Sequence, residues 1–426
     1  MEKSAYKIHI IGAGISGLIA AQILENHGYH PTIIEASATV GGRVKSDIFE
    51  GYTLDHGFQV LLTSYPAAKK YLDYKTLDLQ KLLPGATIFK NEKAQTIGDP
   101  LRNISLLLPT LLSSIGTFSD KVKILKLNTL LKKKKIAAIF KTEEKTTLQY
   151  LKDFGFSNEI IIDFFTPFFS GIFLETELET SSRMFEFVYK MFGDGLAVIP
   201  KNGMQAIPDQ LKSNLKNTYF KFNSPVKEVK DKHVILEDDT ILESHITIIA
   251  TDASALISNL KNQETDWKSC DTLYFETKKN TLKKPLIGLI ADKNTLINNI
   301  FYHTSVGTLN KGTKKLLSVT VVKNHLLDEK KLIEEVIKEL HSKCNITDVS
   351  FLKRYQIKKA LPKLTDLQYE ISSTETKLKS TLFLAGDQLL NGSLNAAMIA
   401  GERAAMGVIQ NLEDGLIVDE LTSEYS

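Results

Sequence analysis

Cysteine is nearly absent from this 426-residue chain, with only Cys270 and Cys344, far apart and without CxxC spacing. That excludes a disulfide scaffold, speaks against a zinc site, and fits a reduced, cytoplasmic setting. Excess charge of one sign is also missing. A net charge of +3 argues against nucleic acid as the main partner. Long hydrophobic runs are lacking too: the longest candidate, residues 160–174, is interrupted by Asp163, Pro167 and Gly171 and is too short to span a bilayer. No charged-then-apolar layout precedes the first element, so no signal peptide is expected. Neither an internal repeat nor a low-complexity linker is present. What remains is an ordinary globular composition, 43% hydrophobic and 24% charged, in a chain too long for one core, so two lobes are expected.

The informative part begins at once. Lys7 to Ile11 reads as a buried strand ending at a glycine turn, with Gly12, Gly14 and Gly17 as GxGxxG. A helical run follows through Leu24 to His27, stopped by Gly28. His30 to Ile34 makes a second strand with Glu35 at its end. Strand, glycine turn, helix, strand and acid, in that order, are the parts of a dinucleotide-binding βαβ unit. Gly12 permits the turn, Gly14 lets backbone approach a pyrophosphate, and Gly17 lets the helix pack on the strand. Free N–H groups near Ile15 and Ser16 face an anion along the favourable dipole direction. Glu35 can accept from both ribose hydroxyls, and an acid there disfavours the 2′-phosphate of NADP.

Beyond Glu35 stand Gly41, Gly42 and Arg43 as GGR, then Gly51, Asp55 and Gly57 in GYTLDHGFQ. Here the chain resembles the FAD-dependent amine oxidase superfamily, which includes monoamine and polyamine oxidases, protoporphyrinogen oxidase and phytoene desaturases. The resemblance implies FAD rather than NAD. It makes Arg43 a phosphate clamp, suited by its planar, permanently charged guanidinium, and brings Gly57, Phe58, Gln59 and His56 near the flavin. His56 is either a proton acceptor or only a strand-end polar contact.

Two later segments match the rest of such a cofactor lobe. From Met204, NGMQAIPDQL suggests a glycine turn and a helix. A short meander from Pro225-Val226 follows, with a turn at Asp238-Asp239, and then a buried strand over His245 to Ala250. By resemblance the backbone at Val226 contacts adenine; from the residues alone Val226 is equally a buried strand position. Leu382 to Ala385 then reads as a short strand ending in Gly386-Asp387. A helix follows, capped by Ser393 or Asn395. The resemblance assigns Asp387 to the ribityl or phosphate region. It aims the helix start, Leu394 to Met398, at the pyrimidine edge of the flavin, where positive potential assists hydride arrival at N5. No cysteine lies near this closing motif, so non-covalent FAD is expected.

The expected fold is α/β: a Rossmann-type FAD-binding domain from 1–90, 195–256 and 376–426, plus a mixed sheet-and-helix substrate domain from 91–194 and 257–375. The first insertion reads as helical. The second has strand-like runs at Pro285–Ile290 and Leu316–Val322, a helix around Leu332–Leu340, and a proline turn at Lys358–Leu364. Five phenylalanines, Phe164, Phe165, Phe168, Phe169 and Phe173, are either core or the wall of an apolar tunnel. Leu106 to Leu131 and Lys132 to Lys135 form either a solvated helix face or a basic amphipathic surface for the inner face of a membrane. A catalytic lysine is not assignable among Lys358, Lys359 and Lys363. The expected chemistry is hydride transfer from a C–H bond of a small-molecule, apolar substrate to flavin, with an unspecified electron acceptor. An amine oxidase releasing hydrogen peroxide and a redox-neutral isomerase or mutase are the alternatives.

Overall fold

A computed structural model describes residues 2–257, 260, 264–308, 312 and 314–413; the tail from 414, grouped above with the cofactor segments, lies outside the described residues. The first strand, Ile8–Ile11, is buried at all four positions, as a central parallel strand must be. Thr32–Ile34 flanks it on one side and Ile246–Ile249 on the other, both parallel. Tyr219–Lys221 and Leu382–Leu384 extend the row, and Lys377–Lys379 closes it antiparallel, making six strands. Segments some 370 residues apart thus share one sheet, and their C-terminal ends open toward the same side. The glycine turn, the Ala250-Thr251-Asp252 run and Gly386-Asp387 all follow those ends.

Two long helices cover this sheet. Ile15–Asn26 leaves the glycine turn, and Leu394–Leu412 closes the described chain with Ser393 as its cap. A second sheet has seven strands. In order these are Val349–Pro362, Trp267–Thr277, Lys315–Val321, Ile297–Tyr302, Ile287–Ile290, Gly85–Lys90 and Lys93–Gly98. Its outer face is packed by Glu329–Cys344, whose buried residues Leu332, Val336 and Leu340 recur at helical spacing. The expected strands and helix of the second insertion are present with slightly shifted ends.

Two expectations need correction. The first insertion does not open with helix: Lys93–Gly98 pairs with Gly85–Lys90 as a hairpin. Its two-residue turn, Asn91-Glu92, has positive φ at both positions (49° and 63°). That is the type I′ geometry usually signalled by Asn-Gly, and the glutamate hid it. Helices follow, including Leu107–Leu112, Phe118–Lys133 and Ser182–Asp194. The proposed proline turn at Lys358–Leu364 is also mostly strand. Pro362 ends the edge strand, opposite Trp267. An edge position tolerates a residue that cannot donate to the ladder.

Candidate active site

A single cavity of about 940 Å³ runs from the strand ends of the six-stranded sheet into the helical lobe. Its first end is the glycine turn. Gly12 N–H donates to the Ile34 carbonyl (2.8 Å), and Gly41 N–H donates to the Ala13 carbonyl (2.9 Å). A Cβ on Gly17 would stand 2.1 Å from the Gly12 carbonyl oxygen, so only glycine lets the helix approach. A Cβ on Gly14 would meet nothing within 4 Å. Fold packing therefore does not require glycine at 14; the open space in front of it belongs to the cavity. The helix that starts there has Gly14 as its N-cap and no side-chain cap, and Ile15 and Ser16 line the cavity. N–H groups at a helix start without a side-chain cap suit an anion.

Glu35 is already held in position. One carboxylate oxygen accepts from Ala13 N–H (2.7 Å) and the other from Ser37 N–H (2.8 Å). Each oxygen keeps a second acceptor site for a ribose hydroxyl.

The middle of the cavity gathers three separated motifs. The Arg43 guanidinium makes a bidentate contact with Asp387, one arm at 3.0 Å, and lies 5.1 Å from the Trp267 ring centre. Arg43, a phosphate clamp by the family resemblance, and Asp387, placed by the same resemblance at the ribityl or phosphate region, thus hold each other. Gln59 donates to the backbone carbonyls of Arg43 (3.0 Å) and His56 (3.2 Å), tying the GFQ loop to the GGR loop. His56 pairs with Asp47 (2.8 Å), and its ring lies tilted against that of Tyr355, 4.4 Å between centres. Beneath them Asp55 is fully buried. It accepts from Ser46 Oγ (2.5 Å) and Met204 N–H (2.9 Å), and burial pushes its carboxyl up to about 6. The closing helix adds Leu394 and Ala397 to the wall, with Ser393 Oγ accepting from Ala396 N–H (3.0 Å).

The far end is apolar. Phe164 and Phe168 stack at 5.5 Å and face the cavity with Phe192, Ile160 and Leu111. The phenylalanine segment divides by helical face: Phe165, Phe169 and Phe173 are core residues with no more than 1% exposure. Both readings of the segment hold, each for different residues. A π-helical turn over Ile161–Phe165 carries Phe164 and runs into the helix Thr166–Phe173 that carries Phe168.

The pattern of the flavin containing amine oxidoreductase family matches residues 15–409. The chain belongs to that family. Protoporphyrinogen oxidase 2 of Arabidopsis thaliana is 28% identical over 174 residues, 39% of this chain and 32% of that protein. The matched part thus spans about a third of the length of such curated relatives. An oxidoreductase from Methanosarcina mazei superposes with a TM-score of 0.72 at 17% identity, covering 95% of this chain and 100% of that one. A redesigned putrescine oxidase superposes at 0.70 and 16%, covering 95% and 98%. These likenesses establish the fold of a family oxidoreductase.

Family membership brings a flavin, and the cavity fits its FAD form. The open cradle at Gly14, the uncapped helix start, Glu35 and Arg43 suit a dinucleotide at one end. Midway along, Trp267 lines the wall with a buried indole N–H that has no partner. Of the residues singled out from sequence, Gly12, Gly14, Ile15, Ser16, Glu35, Gly41, Gly42, Arg43, Gly57, Phe58, Gln59, Gly386, Asp387 and Leu394 line this cavity. Gly17 and Met398 lie behind the lining, and Val226 lies in the three-stranded meander Val226–Lys230, His233–Leu236, Ile241–Glu243.

Sequence reasoning missed Trp267, the sole tryptophan, and Cys270, two of the cavity-lining residues of one strand. Burial pushes the Cys270 thiol up to about 12, which keeps it protonated and poorly nucleophilic. Lys359 is the only member of the suggested lysine trio on the cavity wall. Its ammonium donates to Asp252 (3.2 Å) and lies 5.7 Å from the Trp267 ring centre.

Proposed function

We propose that this family oxidoreductase removes hydrogen from a bulky, apolar small molecule, a reaction of the desaturase or protoporphyrinogen oxidase type, using non-covalently bound FAD. The observation that carries the reading is the continuity of the cavity from the glycine turn to the Phe164–Phe168 wall. The dinucleotide half is assigned to Gly12, Gly14, Glu35, Gly42, Arg43 and Asp387. Among the described residues, segments 2–84, 195–256 and 376–413 hold the cofactor, while the two insertions, with Gly85–Lys90 paired into their sheet, hold the substrate. When bound, the flavin supplies a two-electron acceptor for a hydride from a substrate C–H bond. The start of Leu394–Leu412 contributes positive potential where negative charge gathers. Apolar walls at Phe164, Phe168 and Phe192 orient a hydrophobic substrate and exclude water.

Among the described residues, the carboxylates on the cavity wall are already engaged. Asp387 pairs with Arg43, Asp252 with Lys359, and Glu35 and Asp99 accept backbone N–H groups. Asp387 and Asp252 are thereby neutralised and Glu35 lies at the dinucleotide end, so Asp99 alone remains for a substrate ammonium, which favours an apolar substrate over an amine.

Anaerobic mixing of the oxidised holoenzyme with a porphyrinogen, with long polyene precursors and with small primary amines tests this directly. Bleaching of the flavin absorbance by one of the first two, with amines inert, is expected. Efficient bleaching by a small amine, with no response to the others, would overturn it.

A further inference from the structure

We infer that the face built by residues 101–133 docks on an anionic lipid leaflet and that apolar substrate passes from the leaflet into the cavity through it. The passage rests on the substrate reading above; the docking does not.

The distribution of exposed apolar side chains comes first. Of the sixteen large hydrophobic residues exposed among the described residues, ten lie between Leu101 and Leu130. Leu101 is 82% exposed, Leu112 76% and Phe118 78%. The helix Leu107–Leu112, of sequence LLPTLL, has no buried residue at all. Scattered exposed leucines need no explanation, but a contiguous apolar surface of this kind marks a contact site. Phe118–Lys133 contributes from the side opposite its buried Leu127 and Leu131, presenting Val122 and Leu125.

Charge identifies the partner. Residues 101–135 contain eight lysines or arginines against a single acid, a balance of +7 in a chain whose total is +3, so the remainder carries −4. That one acid, Asp120, is buried and occupied by Thr117 and Ser157. Lys134 is paired with Glu186, and the other lysines flank an apolar stretch whose single acid is buried, a pattern that complements an anionic headgroup layer over a hydrocarbon interior. No helix among the described residues is long and apolar enough to cross a membrane, so the contact is with one leaflet.

The cavity supplies the third observation. Leu107, Leu111 and Leu125 are exposed and also line it, so its mouth opens within the apolar face. A substrate dissolved in the leaflet would reach the Phe164–Phe168 wall without crossing water.

The test uses full-length, flavin-loaded protein and sedimentation with vesicles, without substrate. Vesicles of phosphatidylcholine with phosphatidylglycerol should pull the protein down, and pure phosphatidylcholine should do so about tenfold less well. High salt should narrow that difference. The triple variant Leu108→Ser, Leu112→Ser, Phe118→Ser alters exposed positions that do not line the cavity. It should bind anionic vesicles at least about tenfold more weakly, with flavin content and dithionite reduction unchanged. The proposal fails if wild type stays in the supernatant with anionic vesicles, or if the variant sediments as well as wild type. It also fails if wild type ignores vesicles but is a dimer that the variant converts to monomer, because the face then covers a second copy. Because vesicle binding is read without turnover, its failure is distinct from failure of the substrate assignment.

Discussion

The two ends of the cavity are built on opposite principles. At the glycine end, most of the polar groups lie in the stretch from Gly12 to Arg43, joined from far along the chain by Asp387, and most have a stated partner. At the far end the wall is assembled from helices and strands spread over the lobe, and most contacts are between apolar surfaces. The first kind of site depends on backbone geometry and tolerates no side chain in particular places. The second depends on which face of a helix a residue occupies, and it should tolerate substitution on one face only.

The largest contrast is expected inside the phenylalanine segment. Phe169→Ala removes a fully buried ring packed on Phe165, Phe173 and Phe185, and should cost about 3–5 kcal/mol in stability. Phe164→Ala opens onto the cavity, should cost about 1 kcal/mol or less, and should instead raise KM for an apolar substrate. Denaturant titrations of the two variants decide this. Equal losses would mean that the segment has no cavity face.

Next is a contrast within GxGxxG. Gly14→Val places its side chain in open cavity, so the apoprotein should melt like wild type while flavin affinity falls at least about 100-fold, or about 2.7 kcal/mol. Gly17→Ala should do the reverse, destabilising the apoprotein by about 1–3 kcal/mol through collision with the Gly12 carbonyl. Flavin titration paired with thermal melting separates them. A Gly14→Val protein that purifies with full flavin would remove the cofactor from this turn.

These contrasts also explain what could be read from the chain alone. The βαβ unit was legible because each part has a local signature: β-branched strand, glycine spacing, terminal acid. The closing strand and helix were legible from Gly386-Asp387 and the Ser393 cap. The bidentate Arg43–Asp387 contact was not, because 344 positions separate partners whose separate roles were each plausible. Trp267 carried no local signal; it reaches the cavity only because its strand pairs with the edge strand ending at Pro362. The split of the phenylalanines needs the helix phase relative to neighbours, and the π turn at Ile161–Phe165 shifts that phase.

The smallest effect concerns pH and the layer beneath the GFQ loop, where buried ionisable groups of opposite kind meet. Burial raises Asp55 to about 6 and lowers His303 to about 4; elsewhere, in the strand Ile8–Ile11, burial lowers His9 to about 4 as well. Tyr274 connects the first two, donating to the Asp55 carbonyl (2.8 Å) and packing 5.6 Å from the His303 ring. The signs oppose. Folded Asp55 holds its proton to higher pH than the unfolded chain, so its contribution to stability falls as pH rises from about 4 to about 6. The histidines resist protonation when folded, so their contribution falls as pH drops from about 6.5 toward 4. In wild type the two slopes partly cancel. Asp55→Asn keeps an oxygen to accept from Ser46 and Met204 but removes the titration. It should gain on the order of 2 kcal/mol at neutral pH relative to its value at pH 4, when both are compared with wild type. The variant's stability should therefore decline more steeply than wild type on acidification through that window. Urea unfolding of apoprotein at half-unit steps from pH 4 to 7 measures both slopes. Parallel wild-type and variant curves would show that Asp55 titrates as an ordinary solvent-exposed carboxylate and that the site floor is wetter than its packing implies.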